Sequence, residues 1–89
     1  MVVKVIGSHM CPSTLYAINK LAEADIGIKF VDMFSSHEAM HEYLWLREHD
    51  PLYDDVRGSK EKFGIPCFIL EDGTKTRDLD AVLKLNTQD

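Results

Sequence analysis

The chain reads as an α/β domain of element order β-α-β-α-β-β-α, a four-stranded mixed sheet with helices on both faces. Three observations predict this. The run Val2-Val3-Lys4-Val5-Ile6 is apolar and rich in β-branched residues, as a short buried strand is. Behind Pro12, the residues Leu15, Ile18, Leu21 and Ala22 recur at helical spacing. Ile28-Lys29-Phe30-Val31-Asp32 is then a second strand-like run. Strand, helix and strand with short links give two parallel strands joined by a right-handed crossover.

The first helix is predicted over 12–24, because a proline suits the first helical position, where its missing N–H would be unpaired anyway. Gly27 is expected to provide its C-terminal stop. Ser35 and Glu38 have capping-box spacing and start a second helix near Ser36. Met40, Tyr43, Leu44 and Arg47 lie on one face of it, Trp45 lies off that face, and Asp50-Pro51 ends it. Residues 51–63 are polar and charged and read as a connection with a loose turn around 53–57. Residues 64–70, Gly-Ile-Pro-Cys-Phe-Ile-Leu, form a third strand entered through Pro66. Glu71-Asp72-Gly73 marks a turn, and 74–76 a short fourth strand. Leu79, Val82, Leu83 and Leu85 support a last helix capped by Thr76 or Asp78.

At 89 residues the chain has room for one domain, 1–89, and 45% hydrophobic residues suffice for a small globular core. Fifteen acidic against ten basic residues leave a net charge of −5, which argues against a nucleic-acid partner. No apolar run reaches membrane-spanning length, and no charged start with an apolar stretch opens the chain, so a cytoplasmic protein is expected. Two cysteines, Cys11 and Cys67, make neither a disulfide scaffold nor a structural zinc site by themselves.

Cys11 carries the clearest chemical signal. Placed where a strand delivers the chain to a helix N-terminus, its sulfur faces N–H groups with no helical partner, and this end of a helix stabilises negative charge. The thiolate is therefore favoured and the cysteine becomes a nucleophile. The alternative is a small buried hydrophobe. His9, two residues before it, either lowers the thiol pKa further as a cation or is a loop residue without a role. His37-Glu38-Ala39-Met40-His41 matches the H-E-x-x-H zinc pattern on a helix. Leu44 and Arg47 stand where the extended pattern wants glycine and histidine, so a solvated helix face is the preferred reading and no metal site is expected.

Cys11-Pro12-Ser13-Thr14, Gly64-Ile65-Pro66 and Arg77-Asp78-Leu79 together resemble the glutaredoxin branch of the thioredoxin-like fold. Leu44-Trp45-Leu46-Arg47 and Gly64-Ile65-Pro66-Cys67 are similar to segments of small bacterial glutaredoxin-related proteins. The resemblance implies a cis Pro66 facing the Cys11 sulfur, with the Ile65 backbone and Pro12 beside bound peptide or glutathione. It implies that Cys11 forms a mixed disulfide in thiol–disulfide exchange, with glutathione as co-substrate and glutathionylated or disulfide-containing proteins as partners, in a monomer. Thr14 stands where dithiol members hold the second cysteine; it points to a monothiol route, with its hydroxyl on the thiolate or capping the helix. Cys67 has two readings, a resolving thiol for Cys11 or a strand cysteine in the core. Asp78 likewise either holds the γ-glutamyl end of glutathione or caps the last helix. Arg47, Arg57, Lys60 and Lys62 are candidates for the glycyl carboxylate, since Ser8 replaces the lysine common three residues before the nucleophile, and the usual Gly-Gly pair is Thr76-Arg77 here. The alternative functions are a non-catalytic binding module of the same fold and a glutathione-held iron–sulfur carrier. Carriers of that kind usually have Cys-Gly-Phe-Ser, unlike Pro12-Ser13.

Overall fold

The computed structural model describes residues 1–86 of the chain; 87–89 lie outside the described residues. The elements are β1 (Val2–Gly7), α1 (Pro12–Glu23), β2 (Gly27–Asp32), α2 (His37–His49), a 3₁₀ turn (Pro51–Tyr53), β3 (Cys67–Ile69), β4 (Lys75–Thr76) and α3 (Leu79–Asn86). The sheet order is β2-β1-β3-β4, with β1 parallel to β2 and antiparallel to β3, and β3 antiparallel to β4. The α/β class and the mixed four-stranded sheet are those the sequence predicts. No helix among the described residues is long and apolar enough to cross a membrane.

Side-chain alternation along the central strands sorts the core into two layers. Val3 and Val5 of β1 and Phe68 of β3 pack with Ala17 and Leu21 of α1 and Val82 of α3. Ile6 and Cys67 take the other face, where Tyr43 and Leu46 of α2 meet Met33, Tyr53 and Val56. One face therefore carries α1 and α3, the other α2 with the segment behind it.

Several local expectations are corrected. The stop of α1 is Asp25, at φ 57°, and not Gly27. Asp tolerates the left-handed region, and the end closes as a Schellman motif. Asp25 N–H donates to the Ala22 carbonyl and Ile26 N–H to the Leu21 carbonyl, each at 3.0 Å, while Ile26 and Leu21 share one core cluster. Gly27 instead opens β2, its N–H on the Met1 carbonyl. The cap of α2 is Ser36, whose hydroxyl accepts from Ala39 N–H at 3.1 Å, whereas Ser35 donates to the Asp32 carbonyl. The buried stripe of α2 is Ala39, Tyr43 and Leu46; Leu44 is exposed, and Trp45 lies outside against the His49 ring. Residues 64–66 run into β3 as irregular chain. The connection behind α2 is not merely polar: Tyr53 and Val56 are wholly buried.

Candidate active site

The site is built at the C-terminal end of β1. The chain leaves the sheet at Gly7, turns over Ser8, and re-enters regular structure at Cys11, the residue that precedes α1 with extended backbone. Ser8 organises the turn: its carbonyl accepts from Cys11 N–H at 3.1 Å, and its hydroxyl accepts from Met10 N–H at 3.0 Å. Its own N–H donates to Thr14 Oγ1 at 3.4 Å. Thr14 is fully buried at this junction. It fits only because residue 7 is glycine: a Cβ there would lie 2.5 Å from Thr14 Oγ1.

Cys11 is partly exposed and is a free thiol. Partial burial pushes its pKa up, but the hydroxyls and N–H groups of Thr14 and Ser13 at the helix start favour the thiolate, and together they hold the thiol below its ordinary value. Thr14 thus takes the thiolate-facing option, and Ser13, which the sequence reading left without a role, joins it. Thr14→Val keeps the volume of this side chain and removes the hydroxyl. The midpoint of Cys11 alkylation against pH is expected to move upward, with slower alkylation at neutral pH; an unchanged midpoint would deny Thr14 this role.

Ile65-Pro66 is a cis peptide, as the resemblance implies. Two tyrosines hold the chain that leads into it. Tyr43 Oη donates to the Phe63 carbonyl at 2.6 Å and Tyr53 Oη to the Gly64 carbonyl at 2.7 Å, and their rings meet edge-on at 6.2 Å between centroids. Gly64 sits at φ +71° with its α-carbon against the Tyr53 ring, where a Cβ would fall 2.6 Å from Cε1. The Arg77 guanidinium lies over the same Tyr53 ring, 5.4 Å from its centroid, and Nη2 donates to Asp55 at 2.6 Å. Gly7 and Tyr53 have no role in the site on sequence alone, and Arg77 enters there only as part of Arg77-Asp78-Leu79.

Two cavities adjoin the start of α1, and Cys11 lines the first of them. A cleft of about 410 Å³ has Met10, Cys11, Met33, Phe34, Phe63 and Ile65 in its walls. A groove of about 530 Å³ on the other side is lined by Pro12, Ser13, Tyr16, Pro66, Arg77 and Asp78 among others. Cys11 and Ile65 thus line the cleft, while Pro12 and Pro66, their neighbours in the chain, line the groove.

The remaining candidates separate. Cys67 is wholly buried on the α2 face among Ile6, Tyr43 and Tyr53, and burial pushes its thiol pKa up. That placement supports the core reading over the resolving one. Asp78 caps α3 through Oδ1, which accepts from Asp80 N–H at 3.0 Å and Ala81 N–H at 3.4 Å, while it also lines the groove. Arg47 donates to the Val56 and Ser59 carbonyls and Arg57 to the Arg47 and Asp50 carbonyls, so both bind backbone around the 51–59 segment. Lys60 is exposed, and Lys62 lies 3.9 Å from Asp55; among the described residues neither lines the two cavities. His9 is turned to Asp32, Nδ1 to Oδ2 2.6 Å, and away from a part in lowering the thiol. His37, Glu38 and His41 form an exposed helix face, and no metal-holding group of three acidic, histidine or cysteine residues occurs among the described residues.

Comparison of the chain with protein-family models, curated proteins and solved structures gives no match.

Proposed function

We propose that this chain is a glutaredoxin-like, monothiol thiol–disulfide oxidoreductase of thioredoxin-like arrangement that removes glutathione from mixed disulfides. One observation carries the reading: a partly exposed free cysteine at a helix start lines the same cleft as Ile65 of the cis Ile65-Pro66 unit, and the Ser13 and Thr14 donors beside it hold its thiol below the ordinary value. The sheet order and the helices on both faces support it.

In the first step the Cys11 thiolate attacks the glutathionyl sulfur of a mixed disulfide. The new S–S bond joins Cys11 to glutathione, the old one breaks, and the electron pair leaves on the partner's sulfur as a thiolate. In the second step the thiolate of another glutathione attacks the glutathionyl sulfur on Cys11, releasing oxidised glutathione and regenerating the Cys11 thiolate. Across the two steps the partner's sulfur is reduced from disulfide to thiol, the incoming glutathione is oxidised from thiol to disulfide, and the glutathionyl sulfur of the substrate stays at the disulfide level. The donors around Cys11 lower the cost of its thiolate as attacker and as leaving group alike. Pro12, Ile65 and Pro66 form the walls against which the disulfide lies, and Asp78 with Arg77 marks the polar groove for the zwitterionic γ-glutamyl end. The chemistry suits a cytoplasmic monomer, where reduced glutathione abounds. A glutathionylated peptide offered with excess glutathione tests it: peptide thiol should be released far above the uncatalysed rate, and a rate equal to the background would refute the reading.

A further inference from the structure

The two sides of Cys11 differ in chemistry, and the difference bears on which disulfides reach the sulfur. The cleft on the Ile65 side carries no charged side chain among the described residues that line it. Met10, Phe34 and Phe63, which line it, are 65%, 47% and 53% exposed to solvent overall, and Met33, which also lines it, is buried. Of the basic residues beside its lining in sequence, Lys62 next to Phe63 lies 3.9 Å from Asp55 and His9 next to Met10 is turned to Asp32, and neither lines the cleft. On a chain of net charge −5, a carboxylate entering this cleft finds no counter-charge and loses its water. The opposite groove has Ser13, Arg77, Asp78 and Asp80, the mixed charge that a zwitterion needs.

We infer that the cleft between Met10, Phe34 and Phe63 receives an apolar side chain next to the disulfide cysteine of a glutathionylated polypeptide. The inference rests on the thiol-transfer reading and names its substrate class. The occupant follows from continuity and charge together. Cys11 is itself part of the cleft wall, so a polypeptide whose sulfur meets it places its next residues about 3.4 Å per residue away, within the same cavity. A volume of about 410 Å³ admits a leucine or phenylalanine side chain. The two thioethers, unbranched and polarisable, adapt to either shape. The glutathione half of the disulfide is left to the charged groove, and the reaction proceeds with the same bonds made and broken as above.

The test offers the wild-type protein two glutathionylated peptides identical except that leucine or aspartate follows the cysteine, together with the mixed disulfide of glutathione and 2-mercaptoethanol. Wild type is expected to prefer the leucine peptide by roughly 10–100-fold in kcat/KM, the scale set by burying one large aliphatic side chain. Phe34→Lys and Phe63→Lys, at half-exposed positions, are expected to shift the ratio toward the aspartate peptide. The ratio is read on each variant separately, so a loss of active protein cancels. Reaction with the small mixed disulfide but equal rates with both peptides would overturn the cleft assignment alone. No reaction with the small mixed disulfide would overturn the thiol-transfer reading, and this inference with it.

Discussion

Cys11→Ser is expected to lose deglutathionylation by roughly a thousandfold or more in kcat/KM, because the nucleophile is removed and no neighbouring group replaces it. A serine hydroxyl in the same place meets the same Ser13 and Thr14 donors, yet it stays protonated at neutral pH and does not attack sulfur. The paired variant makes the result specific. Cys67→Ala is expected to keep turnover within about threefold of wild type and to cost about 1–2 kcal/mol of stability, the effect of emptying a small core position. This follows from where the two sulfurs stand. Cys11 is partly exposed in the wall of a cleft with its pKa lowered, and Cys67 is sealed under α2 with its pKa raised. Loss of turnover in a folded Cys67→Ala protein would instead assign it the resolving step and make the enzyme a dithiol one. Rates with a glutathionylated peptide, beside urea unfolding of each variant, separate these outcomes.

Tyr53→Ala is expected to be the most damaging change away from the sulfur. The ring is fully buried, packs edge-on against Tyr43, carries the Arg77 guanidinium and seats Gly64. Removing a buried aromatic side chain costs about 3–5 kcal/mol, against a total of about 5–15 kcal/mol for a whole domain. Tyr53→Phe isolates the hydroxyl. It keeps the packing and removes the donor to the Gly64 carbonyl, for an expected loss of about 1–2 kcal/mol. Because that carbonyl precedes Ile65-Pro66, the Phe variant should also react more slowly with glutathionylated peptide while its Cys11 alkylation at fixed pH stays near wild type. Urea unfolding reads the first effect, and the ratio of the two rates reads the second. Equal stability of Tyr53→Ala and wild type would remove Tyr53 from the support of the site.

The prominence of Tyr53 was not legible in the sequence, and the reason is physical. It stands between Pro51-Leu52 and Asp54-Asp55, in a stretch without helical or alternating period, so nothing local distinguishes a core tyrosine from a loop one. Its partners, Tyr43, Gly64 with Cys67, and Arg77, come from three separate segments that only the tertiary fold brings together. The apolar cleft was hidden for the same reason: Met10, Phe34 and Phe63 each end a different link, and each reads singly as an exposed loop residue. By contrast, β1, α1 and β2 were legible almost to the residue. Their signals are local: a β-branched run, a proline at the first helical position and a regular apolar stripe. The error at their junction, Asp25 in place of Gly27, arose because aspartate also enters the left-handed region and the Schellman bonds decide which residue does. Ser35 and Ser36 compete for one cap, and the carbonyl of Asp32 takes the first. Cys11 was legible from the turn itself, while Thr14 gained a role only through the resemblance. Pro66 was placed by resemblance and not by spacing, since an isolated Ile-Pro before a strand says nothing of a cysteine 54 positions earlier, at Cys11.

The central claim is that Cys11 is the sulfur on which a glutathione mixed disulfide forms and from which a second glutathione removes it. Mass spectrometry of the intact protein after brief exposure to oxidised glutathione, followed by mapping of the modified peptide, tests it most directly. One glutathione per chain is expected, on the peptide containing Cys11, and it should disappear on addition of excess reduced glutathione. An unmodified protein, a glutathione on Cys67 alone, or a Cys11–Cys67 disulfide as the stable product would contradict the account.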